Sequence, residues 1–163
     1  MLRMRTLAAT SILIALASAC AAESLEGRWK LVAAEDVRDN GEVVRRPWGE
    51  HPVGSIVVRG GWLYLQIMSG DVPAIAPDKP AGDQMKAALL SSYIAYAGPV
   101  TVDESSGGVA FKVEAAWRPD YVGTDQKRNF HFESGRLIFG TTPNSIRLGS
   151  ERLTRRLTLE RVP

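Results

Sequence analysis

Short apolar runs cut by turn residues constrain this chain more than any other feature. Beyond residue 22 the runs are rich in Val, Ile, Leu and aromatics, and they end at Gly60-Gly61, Ser106-Gly107-Gly108 and Ser134-Gly135. Glycine supplies the positive φ that tight hairpins need, so these are turns between neighbouring antiparallel strands. Strands are expected at Gly27–Ala34, Ser55–Arg59, Trp62–Met68, Tyr96–Asp103, Val109–Trp117, Gln126–Glu133, Arg136–Thr141 and Leu153–Arg161, with a shorter one at Val43–Val44. About eight strands at hairpin spacing predict an all-β, antiparallel up-and-down meander that closes into a barrel, because closure removes exposed edges.

One segment departs from this pattern. Asp83–Ser92 reads as a short inserted helix, with Asp83 able to accept N–H bonds at its start and Met85, Leu89 and Tyr93 forming an apolar stripe. Pro73, Pro77 and Pro80 make the stretch before it a loop. Such an insertion has two placements, across a barrel mouth or against the outer wall.

Gly27-Arg28-Trp29 heads the first strand. The indole is large enough to plug one barrel end, and glycine lets the chain pass close beneath it. Alternation then sorts the later strands. Val109, Phe111, Val113, Ala115 and Trp117 share one face, expected to point inward, as do Arg128, Phe130 and Phe132. In the last strand the inward set is Leu153, Arg155, Leu157, Leu159 and Arg161. A guanidinium inside a barrel needs an acid, carbonyls, a ring or a ligand. In a closed meander the last strand pairs with the first, which brings Arg161 to Trp29 as a structural cation–π pair. Arg128 has no such obvious partner. Trp62, Tyr64, Gln66 and Met68 alternate with Leu63, Leu65 and Ile67, and both faces are apolar enough to be buried.

Residues 1–22 read as an export leader: Arg3 and Arg5, an apolar run from Leu7 to Ala17, then small residues to Ala22. The domain is therefore residues 23–163, about 140 residues with enough length for one core. Cys20 is the only cysteine, so no intrachain disulfide supports the fold. Leu16-Ala17-Ser18-Ala19-Cys20 resembles a lipoprotein lipobox, although Ala17 stands where Leu or Val is usual. Lipidation at Cys20 and plain cleavage after Ala19, Ala21 or Ala22 are both open, placing the product at the membrane by a lipid anchor, in the periplasm, or outside the cell. Arg3 and Arg5 leave with the leader, so the remainder has 18 basic and 18 acidic side chains. That balance gives no argument for a nucleic-acid partner.

Metal binding has little support: His51 and His131 are the only histidines, and neither has a partner at ligand spacing. No nucleophile elbow and no phosphate-cradling loop occurs, so no catalytic set and no cofactor are assigned. What remains is a polar and aromatic cluster expected inside the barrel: Tyr64, Gln66, Tyr93, Tyr96, Trp117, Tyr121 and Arg128, with Phe111 on the same inward side. Tyr and Arg can orient a carboxylate or carbonyl in an apolar cavity.

Several pieces resemble the lipocalin-like domain family, small bacterial and fungal proteins related to lipocalins. They are Gly27-Arg28-Trp29-Lys30-Leu31, Pro47-Trp48-Gly49-Glu50-His51-Pro52-Val53-Gly54, Gln66-Ile67-Met68, Tyr93-Ile94-Ala95-Tyr96-Ala97-Gly98, Val113-Glu114, Pro119-Asp120-Tyr121-Val122-Gly123-Thr124 and Gln126-Lys127-Arg128. The resemblance implies a barrel with an internal cavity, and no common reaction. Where relatives carry a His pair before Val-Glu, this chain has Phe111-Lys112. The expected function is binding of a small, mainly hydrophobic molecule in the barrel. A cavity-based isomerase or cyclase and a solid envelope interaction module are the alternatives.

Overall fold

The computed structural model describes residues 23–74, 78 and 82–163. The leader, with Arg3, Arg5 and Cys20, lies outside the described residues, as do Pro77 and Pro80. The strands are β1 (Gly27–Val37), β2 (Val43–Arg45), β3 (Pro52–Arg59), β4 (Trp62–Ser69), β5 (Tyr93–Asp103), β6 (Gly108–Lys112), β7 (Ala115–Ala116), β8 (Asp125–Glu133), β9 (Arg136–Thr141), β10 (Ile146–Leu148) and β11 (Glu151–Val162). Eight of them (β1, β3, β4, β5, β6, β8, β9 and β11) form an antiparallel meander. It closes where β11 pairs with β1, setting Trp29 opposite Arg161.

The interior is packed from the Trp29 end. Leu25, Ile56, Leu63, Val113, Leu137 and Leu159 have no exposed surface, and Trp29, Phe111, Phe130 and Phe139 are buried beside them. Each such side chain contributes about 1.5–3 kcal/mol by leaving water. The Trp29 indole donates to the Leu25 carbonyl at 2.9 Å and packs on Phe132 at 5.7 Å between centroids. This end is sealed by Leu25 and Trp29, where the chain enters β1.

Two breaks in alternation decide what reaches the other end. A bulge between Leu31 and Ala33 in β1 turns Ala34 and Asp36 inward. The second lies between β6 and β7. Phe111 is opposite Val100, but Ala116 is opposite Tyr96, so one residue is gained across Val113-Glu114. Gly98 permits this, because a Cβ there would strike the Lys112 carbonyl. The expected single strand Val109–Trp117 is therefore two. Val109, Phe111 and Val113 do point inward, whereas Ala115 turns outward and Trp117 follows it to the rim.

The helix α1 (Asp83–Ser91) joins β4 to β5 at the open end. Gly82, not Asp83, occupies its N-cap, and Asp83 pairs with Lys86 at 3.0 Å within the first turn. Met85 and Leu89 are only half-buried, and Leu90 is exposed. The helix packs chiefly on β5, and none of its residues lines the inner cavity.

Candidate functional site at the open end

Opposite Trp29, the barrel interior ends in a cavity of about 90 Å³, walled by Trp48, Ile94, Tyr96, Tyr121, Arg128 and Arg155 among others. Tyr96 projects from β5 and is buried. Its ring stacks on Phe111 at 5.4 Å and on Tyr121 at 6.2 Å. Burial pushes the Tyr96 phenol above its ordinary range, and the neighbouring Arg128 guanidinium opposes that shift. The phenol is therefore a neutral hydrogen-bonding group at neutral pH.

The two arginines of the cavity differ. Arg155 donates to both carboxylate oxygens of Asp36, at 2.8 and 3.0 Å, and lies 4.8 Å over the Trp48 ring. Asp36 is wholly buried and also accepts two bonds from Arg45, at 3.0 and 2.6 Å. Burial raises the Asp36 carboxyl, but Arg155 and Arg45 together outweigh it and hold the pKa below the usual carboxylate range. One residue earlier, Glu35 forms ion pairs with Arg46 and Arg156, at 3.2 and 2.7 Å. Arg46 also pairs with Glu50 at 3.2 Å, so that cluster is balanced, whereas Asp36 faces two cations and its trio carries one excess positive charge.

Arg128 has a thinner set of partners. It donates to the Lys127 carbonyl at 2.7 Å and to Gln126 Oε1 at 3.0 Å, and it lies 5.7 Å from the Phe111 centroid. Among the described residues no carboxylate makes an ion pair with it, although it is half-buried and lines the cavity. The open end thus carries a net positive charge inside an aromatic wall.

The expected cluster divides. Tyr96, Phe111, Tyr121 and Arg128 come together at the open end. Tyr64, Gln66 and Tyr93 do not, because β4 turns Leu63, Leu65 and Ile67 inward and these three share the opposite face. Tyr64 is half exposed on the outer wall. Trp117 straddles the rim, with its ring 4.6 Å from Tyr121. Asp36 and Trp48 belong to the site but were not among the expected residues; the inward Arg155, which required an acid and a ring, was the available signal. At the closed end Gly27, Trp29 and Arg161 come together, with Arg161 4.3 Å over the indole. His51 and His131 are both exposed, and among the described residues no group of His, Cys, Asp or Glu converges as a metal site.

A closed antiparallel barrel, plugged at one end by Gly-x-Trp and carrying a small cavity at the other, defines a lipocalin-type architecture. The family profile for the lipocalin-like domain matches residues 26–162, and the chain belongs to that family. No curated protein and no solved structure matches it.

Proposed function

We propose that this chain is an exported protein that binds a small, mainly hydrophobic molecule in the barrel interior, head-first through the open end. The observation that carries the reading is Arg128, a half-buried cation on the cavity wall with no carboxylate partner among the described residues, beside the buried Tyr96 phenol. A carboxylate or carbonyl head would meet Arg128 and Tyr96, and would offset the excess positive charge left after Asp36 is shared between Arg45 and Arg155. The leader-like segment at residues 1–22 supports export.

The cavity holds the head alone. At about 90 Å³ it is well below the roughly 300–1,000 Å³ of small-molecule sites. The apolar remainder of the ligand lies toward the mouth, against Trp48, Ile94, Tyr121 and Ile146. Trp48, only 6% exposed, must yield to admit it.

Native mass spectrometry of the purified protein, followed by displacement of a fluorescent fatty-acid probe, tests this reading. A co-purifying small molecule or saturable displacement is expected, and replacing Arg128 with Ala should weaken it. No bound species and no displacement would instead favour a packed interaction module.

A further inference from the structure

The outer wall carries a second recess that the interior site does not use. Two adjacent rows cross β3, β4, β5 and β7: Val57, Tyr64, Ala97 and Ala115, then Ser55, Gln66, Ala95 and Trp117. Because β5 contributes only Ala95 and Ala97 to these two rows, the sheet sinks between the taller side chains of β4 and Trp117 beside β7. The recess measures about 460 Å³. Strands about 4.8 Å apart set its two walls about 10 Å from each other. The aromatic wall continues along β4, where Trp62 stacks on Tyr64 with centroids 6.0 Å apart and planes 24° apart. Trp62 is 36% and Tyr64 51% exposed, so a large part of each ring remains in water.

None of the lining side chains is charged. In a chain with 23% charged residues that selects a neutral occupant. The recess is also shallow and open, so it leaves one side of its occupant in water. A wholly apolar molecule gains little there, since small-molecule sites bury most of the ligand. A sugar chain suits both conditions. Its ring C–H face covers an aromatic plane, while its hydroxyls stay hydrated or bond Gln66, Ser55 and the Tyr64 phenol. Aromatic side chains with an apolar body and a polar tip favour such half-wet contacts.

We propose that this outer groove binds a neutral oligosaccharide, stacked on Tyr64 and Trp62 and hydrogen-bonded by Gln66. Leu65 and Tyr96 border both recesses, but Tyr64, Gln66 and Trp62 face outward, so the proposal stands whether or not the interior binds a ligand.

Titration of ¹⁵N-labelled protein with maltotetraose, cellotetraose and chitotetraose, followed by amide shifts, tests the proposal. At least one sugar is expected to give saturable shifts at millimolar concentration, confined to β4, β5 and β7 around Tyr64, Ala97 and Trp117. Tyr64→Ala and, separately, Gln66→Ala should each weaken that binding, Tyr64→Ala by about tenfold or more. Leu148→Ser, at an exposed apolar residue on β10, should leave it unchanged. The proposal is overturned by the absence of saturable shifts with all three sugars, by shifts elsewhere on the barrel, or by full binding in Tyr64→Ala. It is equally overturned if dilution alone moves the same resonances, which would make the groove a contact between copies of this chain.

Discussion

The Arg161 guanidinium lies 4.3 Å over the Trp29 indole, and its terminal nitrogens donate to the Glu26 and Ser24 carbonyls at 3.1 and 2.6 Å. One side chain from the last strand thus fastens the first strand and the segment before it. Replacing Arg161 with Ala should cost about 1–2 kcal/mol, from the cation–π contact and the charge-assisted bonds. Urea unfolding at unchanged slope measures it. Lysine should recover only part, since an ammonium lacks the fork that reaches both carbonyls.

Gly27 is coupled to the same contact. Its φ is +139°, and an added Cβ would sit 2.6 Å from Arg161 Nη1. Gly27→Ala should destabilise by about 1–3 kcal/mol through backbone strain, and further through displacement of Arg161. In a double-mutant cycle with Arg161→Ala the second part should vanish and the first persist.

Asp36 should shape the acid limb of stability. Its folded pKa lies below the ordinary 3.8, so the unfolded chain takes up that proton first as pH falls. The stabilisation is complete above about pH 5 and is lost as pH drops through the folded pKa. Asp36→Asn leaves Arg45 and Arg155 facing each other, and should cost about 3 kcal/mol at pH 7. The gap between wild type and variant should narrow below about pH 4. Asp103, held at about 2 chiefly by the Ser105 and Ser106 hydroxyls, titrates in both proteins and cancels in the comparison. Unfolding curves across pH give the result.

Trp48 closes the open end, stacked under Arg155. Trp48→Ala should cost about 3 kcal/mol of stability, in line with large-to-small changes at buried aromatics. It should also speed entry of a fluorescent fatty-acid probe in stopped-flow mixing. An unchanged entry rate would place the route elsewhere.

The sequence reveals the strands because burial on one face imposes a period of two, which β8 keeps throughout and which Leu153, Leu157 and Leu159 mark in β11. Arg155 could therefore be placed inside, where it meets an acid and a ring, whereas Arg161 is exposed at the closed end, over the Trp29 ring and bonded to two carbonyls. Legibility fails where the period breaks. The bulge after Leu31 moves Asp36 inside, and the residue gained opposite Gly98 moves Ala115 outward and Trp117 to the rim. Neither break alters composition or propensity, so a continuous alternation runs past both. Tyr64 and Gln66 were ambiguous for a different reason: β4 is apolar on both faces, and only the register with β5 decides which is inside. Trp48 lies in a loop, where no period applies.

In the proposed binding mode an acidic head meets Arg128 inside the open end. The most direct measurement compares a fluorescent fatty acid with its matching fatty alcohol, in wild type and in Arg128→Gln. The wild type should favour the acid by about tenfold or more, and the variant should lose that preference while still binding the alcohol, because a charged hydrogen bond contributes about 1.5–3 kcal/mol. Equal affinity of the wild type for acid and alcohol, or a preference that survives in Arg128→Gln, would contradict it.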